Sequence, residues 1–303
     1  MKLIESKVEY LPQEEGLEGV YKQIEKCGRV SYKSEDKITE DSAEPFVKRM
    51  IDSHHGAVLE QGTVYLKVPV EIWREDEHEW IYMFPEELPW VSLDCDGKYW
   101  YITTNFRHIL ESNMGIKTMN EYLCSPTEFH EKRYTFKFTC SRAIANELIR
   151  HRTFSFMQES QRFVNYSKEK FGNEISYLMP SWYPESSVQQ QEAFMQIMKA
   201  TEDCYMALLG QWDEKKPDRR FKTGFKNNPL TPQQARDVLP NATKTELIMT
   251  GFSSDWRYLL DLRLFEKTGA VHPDMLDLMK KLQKVAEETG IWDDIMKYKS
   301  KFD

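Results

Sequence analysis

The apolar positions of this chain switch between helical and strand-like spacing. Residues 16–31 read as a first helix, followed by a loop through Lys37. A second helix begins near Ser42 and covers AEPFVKRMIDSH. There Phe46, Met50 and Ile51 recur at near-helical spacing, Pro45 falls in the tolerated first turn, and Gly56 offers a stop. TVYLKVPV (63–70) is rich in β-branched and aromatic residues and predicts a strand. WYITTN (100–105) predicts another, with a helix over 106–113. KRYTFKFTC (132–140) alternates with period two and is a third strand. SRAIANELIRHR (141–152) follows as a helix with an apolar stripe through Ala143, Ile144 and Leu148. FSFMQESQRFVNYS (154–167) favours an extended path. Further on, Thr231-Pro232 starts a helix, QQARDVL, that Pro240 ends. A second helix is expected from Asn241 or Thr243 through DWRYLLDLRLF, and a last one over 274–288 before Gly290. Helices and strands intersperse without a βαβ rhythm, so the expected class is α+β: a central antiparallel or mixed sheet flanked by helices.

Composition narrows the picture. The chain has 303 residues, 40% hydrophobic and 30% charged, with a net charge of −8. That argues against a protein coating nucleic acid with its whole surface, while leaving room for a local basic pocket. No run of 18 apolar residues predicts a membrane span. The N-terminus lacks the apolar core of a signal peptide. Five widely spaced cysteines without a CxxC fit neither a disulfide framework nor a zinc site, and a reducing cytoplasm is expected. Cys140 reads as a small buried hydrophobe. Residues 71–97 carry nine acids against one base, Arg74, with Trp73, Trp80 and Trp90 interspersed. We read 71–130 as an insertion within a single domain spanning 1–303, its tryptophans (Trp100 included) serving as core or interface.

The opposite imbalance marks 132–152, where Lys132, Arg133, Lys137, Arg142, Arg150 and Arg152 face only Glu147. If the helix runs through Arg152, Arg150 and Arg152 point about 200° apart and reach different anions. Gln158, Ser160 and Arg162 recur every second residue and share one face of an extended strand. An amide, a hydroxyl and a guanidinium on one face suit a phosphate and a polar ring. A solvated basic face is the bland alternative. Ser160 lies in no GxSxG elbow, so binding rather than nucleophilic attack is expected of it. His151, between two arginines, is expected to stay neutral. His54 and His55 are adjacent and cannot form the i, i+4 pair of a zinc site, and no metal is expected.

RHRTFSFMQES (150–160), continuing into Gln161-Arg162-Phe163, resembles the signature of the flavin-dependent thymidylate synthases. GRVSYKS (28–34), SHHGAVLEQ (53–61), ARDVLP (235–240) and DLRLF (261–265) resemble further patches of that family in its order. The resemblance implies conversion of dUMP to dTMP. Methylenetetrahydrofolate would be the carbon donor and NADPH the reductant of FAD, in a homotetramer whose sites draw on several chains. It places Glu147, Arg150, Gln158, Glu159, Ser160, Gln161, Arg162, Arg236 and Arg263 at dUMP, with Leu148 nearby. Arg263 lies against the uracil as the catalytic cation. It places His55, Arg150, His151, Arg152, Gln158, Ser254 and Tyr258 at FAD or folate, and Glu60 as the acid of the His55 loop. His272 is a weaker match to a family histidine. The chain departs from the pattern at Gly56-Ala57-Val58, where Thr-Pro is usual, at Met157, and at Phe252 and Tyr258. None of the five cysteines has the Pro-Cys-His setting of the classical synthase. Activation of the uracil then falls to electrostatics and a cofactor. The alternative is a nucleotide- or single-strand-binding protein, or a degenerate family member, without catalysis.

Overall fold

Tyr134, Phe136, Phe138 and Cys140 lie two apart and enter one buried cluster together. This alternation makes the centre of the molecule. In the computed structural model, which describes residues 1–75, 83–85, 87–112, 114–210 and 228–302, the elements run in order. They are β1 (Lys2–Ile4), β2 (Lys7–Tyr10), α1 (Gly16–Tyr32), α2 (Ala43–Asp52), α3 (Gly56–Leu59), β3 (Thr63–Pro69), α4 (Val70–Glu75), β4 (Ser92–Cys95), β5 (Tyr99–Asn105), α5 (Phe106–Glu111) and α6 (Gly115–Tyr122). Then come β6 (Arg133–Ser141), α7 (Arg142–Leu148), β7 (Ser155–Gln158), β8 (Ser176–Leu178), α8 (Val188–Leu208), α9 (Pro232–Ala235), β9 (Lys244–Phe252), α10 (Ser253–Arg263), α11 (Pro273–Glu288) and α12 (Trp292–Met296). The class is α+β, as expected.

The main sheet has the order β2-β6-β9-β7 with every neighbour antiparallel. β6 and β9 pair from Arg133↔Phe252 to Ser141↔Lys244. Leu247 and Met249 face the core built by α7, α10 and α11, while Ile248 faces Cys27 and Val30 of α1. Trp256 of α10 anchors the first of these cores. It is fully buried, donates its indole N–H to the Tyr134 carbonyl at 3.1 Å, and meets Phe136 and Phe154 edge-on at 4.8 and 4.6 Å. Such aromatic pairs add about 0.5–1.5 kcal/mol each beyond burial.

β9 corrects the sequence reading. A helix was expected from Asn241 or Thr243, but 244–252 is a central strand and the helix starts only at Ser253. Helices cover both faces of β9, so LIM reads as a continuous apolar run in which period two is hidden. The helix expected over 141–152 stops at Leu148. Gly56 opens the short α3 instead of ending α2. The long helix α8 and the strands β1, β2 and β8 were not anticipated. α8 begins with a capping box in which Gln190 N–H donates to the Ser187 hydroxyl (3.3 Å) and Ser187 N–H to the Gln190 amide oxygen (2.9 Å).

The described residues of 71–130 pack into a core shared with the N-terminal helices. β5 pairs with both β3 and β4 in a second sheet, and Ile102, Phe106, Ile109 and Met119 pack with Val20 and Ile24 of α1 and Phe46 of α2. Trp100 packs against this cluster and Trp90 is 39% exposed. Trp80 and the side chains of Trp73 and Arg74 lie outside the described residues. All five cysteines are free. Burial pushes the Cys27 and Cys140 thiols up to about 12 and the Cys124 thiol up to about 11. Among the described residues no helix is long and apolar enough to cross a membrane.

Candidate functional site

The Arg150-His151-Arg152 tripeptide sits in consecutive turns between α7 and β7, not on a helix. Arg150 N–H donates to the Glu147 carbonyl (3.3 Å), His151 N–H to Leu148 (3.1 Å) and Phe154 N–H to His151 (3.2 Å). Phe154 fixes the end of the turns. Its ring lies over Gly251 of β9, where a built Cβ would come within 2.4 Å of the ring. Any side chain there would push Phe154, and with it Arg152, off the sheet. The turns leave Arg150 and Arg152 exposed and half-bury His151.

His151 meets the last turn of α10. Arg263 donates Nε–H to His151 Nε2 at 3.3 Å, and its NH1 lies 3.9 Å from a Glu147 carboxylate oxygen. Three predicted residues from two distant motifs therefore converge. Accepting at Nε2 requires a neutral ring carrying its proton on Nδ1. Burial first, and then the Arg263 charge, hold the His151 pKa down at about 4. The expected neutrality stands, but its cause is burial and Arg263 rather than the flanking arginines.

The sign of the resulting pH dependence follows from linkage. Between pH 6.5 and about 4 the unfolded chain binds a proton at His151 that the folded chain refuses, so stability falls as pH drops through that window. His151→Gln is expected to flatten this part of the curve, measured by urea unfolding at pH 7 and pH 5. An unchanged difference between the two pH values would contradict the assignment.

At the other end of β7 the geometry differs from the expectation. The ladder continues only to Glu159, whose N–H donates to the Glu246 carbonyl at 2.8 Å. Ser160 then opens a turn that accepts the N–H groups of Phe163 (3.1 Å) and Val164 (2.9 Å). Gln158, Ser160 and Arg162 therefore do not share one strand face. Arg162 swings to Gln233, donating Nε–H to its amide oxygen at 3.4 Å, and so approaches the segment that carries Arg236. That segment is α9, where Gln234 bonds back to Thr231 N–H (3.0 Å), followed by a 3-10 turn at Arg236–Val238.

Glu159 faces inward. It is 2% exposed, and its carboxylate accepts from Lys244 (2.7 Å) and from the Tyr166 hydroxyl (2.9 Å). Lys244 also pairs with Glu246 (2.7 Å), which Lys33 approaches at 2.5 Å. Burial raises the Glu246 pKa, but Lys244 and Lys33 outweigh it and hold the group at about 2. The Glu159 carboxylate, expected at dUMP, lies in this chain in an internal ion-pair network beneath the Ser160–Arg162 turn. Beside it, the amide nitrogen of Gln158 and the Ser31 hydroxyl are buried without a partner.

The remaining predicted residues scatter. Tyr258 stacks on Phe302 (5.8 Å, 6°) under Lys301, so its ring is engaged by the C-terminal segment. Ser254 N–H donates to Glu131 at 3.0 Å in the first turn of α10. His272 caps α11, its Nδ1 accepting from Asp274 N–H at 3.2 Å. His55 is exposed at the start of α3, after His54 in the left-handed region at φ 55°. Glu60 pairs with Arg107 at 2.8 Å, a partner the sequence did not single out.

A cleft of about 280 Å³ lies between these parts, lined among others by Glu60, Trp90, Arg107, Arg152, Thr153 and Ser155. Two further cavities, of about 420 and 290 Å³, contain none of the predicted site residues. β7 separates the Arg152 end from the Arg162 end by about 10 Å at 3.3 Å per residue. Within one chain the cationic residues therefore form two groups: Arg150, Arg152 and Arg263 at one end, Arg162 and Arg236 at the other.

Comparison with known proteins gives the family. The flavin-dependent thymidylate synthase of Corynebacterium glutamicum is 32% identical over 147 residues, covering 48% of this chain and 55% of that protein. The corresponding protein of Mycobacteroides abscessus is 34% identical over 199 residues, covering 61% and 74%. The chain spans about half the length of the first relatives it matches. Among solved structures, the UMP/dUMP methylase PolB from Streptomyces cacaoi bound with 5-Br dUMP aligns over 98% of both chains at 14% identity, with a TM-score of 0.41. That likeness is too distant to add to the sequence match. Residues 115–288, more than half of the chain and inclusive of both arginine motifs and the Arg150–Arg162 signature, match the family described as thymidylate synthase complementing protein, and the chain belongs to that family.

Proposed function

We propose that the chain is a flavin-dependent thymidylate synthase. It would methylate C5 of dUMP to give dTMP, with methylenetetrahydrofolate as carbon donor, leaving as tetrahydrofolate, and NADPH as the source of the hydride. The observation that carries this reading is the meeting of Arg263 with His151 and Glu147 in a chain of this family. An arginine held beside a neutral histidine meets no opposing cation from that side. Set against the uracil, it stabilises negative charge at N3 and the carbonyl oxygens and so raises electron density at C5. Glu147 lies far enough away, at 3.9 Å, to orient the guanidinium without saturating its donors.

The cysteines support activation without a thiolate. A nucleophilic cysteine needs a lowered pKa. Burial raises Cys27, Cys140, Cys124 and Cys204.

The residues present suit FAD in their chemistry. Arg150 and Arg152 are exposed donors for a diphosphate, and the buried Gln158 amide nitrogen is an unspent donor for a polar ring. When bound, the flavin supplies hydride transfer. A cleft of about 280 Å³ lies at the small end of ligand pockets, so a dinucleotide needs surface from other copies of the chain. The two separated arginine groups favour the same conclusion, a homo-oligomer, with the homotetramer as the proposed form.

Purified protein is expected to be yellow. It should convert dUMP to dTMP only when methylenetetrahydrofolate and NADPH are both present. A colourless protein without dUMP-dependent turnover would overturn the reading. A yellow protein that binds dUMP but never turns over would mark a degenerate member.

A further inference from the structure

The His55–Glu60 loop is held from a direction that the family match does not include. Arg107 lies on α5, upstream of residues 115–288 and inside the 71–130 segment. Its guanidinium pairs with Glu60 at 2.8 Å and with Glu111 at 2.8 Å. It also lies against the backbone of Gly56, where a built Cβ would come 2.9 Å from Nε and 3.0 Å from Cζ. The loop is thus gripped at both ends of α3 by one side chain. From beneath, buried Arg133 donates to the Glu60 carbonyl through both terminal nitrogens at 3.4 Å.

The platform under Arg107 is rigid. The Asn105 side chain caps α5 by accepting His108 N–H at 2.9 Å, and Phe106 and Ile109 are fully buried in the second core. The loop itself is strained, with His54 at φ 55°, a conformation that persists only where its surroundings enforce it. Because two carboxylates already occupy Arg107, it is not a free anion site. Its geometry is that of a clamp.

We propose that Arg107 is a positioning residue: the 71–130 segment presents it to lock the loop that carries His55 and Glu60 against the Arg152 cleft. This rests on the reading of that loop as part of the cofactor site. In the full-length assembled protein, Arg107→Met should raise amide hydrogen exchange at residues 53–60 relative to wild type. It should also weaken flavin binding by about tenfold, the scale of one lost hydrogen bond. dUMP affinity should change by less than about twofold, and the melting temperature by less than about 2 °C, because a surface ion pair contributes little to stability. Arg107→Lys keeps the charge and should recover part of the flavin affinity. Unchanged exchange at 53–60, or unchanged flavin affinity in a protein that binds flavin, would overturn the proposal. So would equal losses of flavin and dUMP affinity, which would indicate general disruption. If the wild type binds no flavin, the functional reading fails. The exchange measurement then still decides whether Arg107 orders the loop.

Discussion

Arg263→Ala is expected to lower dUMP turnover by about 10²–10³-fold, the usual effect of removing one charge-stabilising donor aimed at a reacting group. The fold should survive. Arg263 is half-buried at the end of α10, and its contacts to His151 and Glu147, at 3.3 and 3.9 Å, are long ones. Stability should therefore fall by less than about 1 kcal/mol. The measurement is steady-state dTMP formation, with rescue of a thymidine-requiring strain as the cellular counterpart. A variant that keeps more than a tenth of wild-type turnover would remove Arg263 from its catalytic role. The His151 ring should report the same change, since loss of the nearby guanidinium removes one of the two causes that hold its pKa near 4.

The second large effect is on stability. Lys244→Met leaves the Glu159 carboxylate buried with the Tyr166 hydroxyl but without a cation, and removes one of the two lysines on Glu246. Breaking a buried ion pair in this way costs about 3–5 kcal/mol, which for a chain of this size corresponds to roughly 5–8 °C in melting temperature. The double variant Glu159→Leu with Lys244→Met should recover most of the loss. An apolar pair of similar volume removes both desolvated charges together. Thermal and urea unfolding of the two variants test the network. A single variant melting within about 2 °C of wild type would show that these charges do not hold the turn. Glu246 adds a pH signature of known sign. Its pKa is about 2 when folded and ordinary when unfolded, so its contribution is complete above about pH 4.5 and is lost as pH falls through about 2.

The chemistry-bearing motifs were legible because they are local in sequence. Arg150 through Arg162, ARDVLP and DLRLF announced themselves by residue type and spacing, and so did the strands with one apolar face, 63–69 and 133–141. β9 was misread because both of its faces are covered, which erases the alternation that identifies a strand. Glu159 was placed at dUMP by the family resemblance, which carries no information about which way its side chain turns. Only the pairing of β7 with β9 brings Lys244 and Glu246 under it. Arg107 was invisible for a similar reason. Its partner Glu60 is 47 residues away and reaches it only after β3 and β5 pair.

By itself the sequence determined the class of fold, the family, and the set of guanidinium groups available for an anionic nucleotide, since these depend on residue identity and short-range periodicity. The tertiary structure alone decided which cations remain open and which are spent within the chain. Arg263 was joined to His151, while Lys244 went to Glu159 and Arg107 to Glu60. The physical reason is that a charge is assigned by what lies within about 4 Å of it. That distance is set by strand pairing and helix packing between residues far apart along the chain.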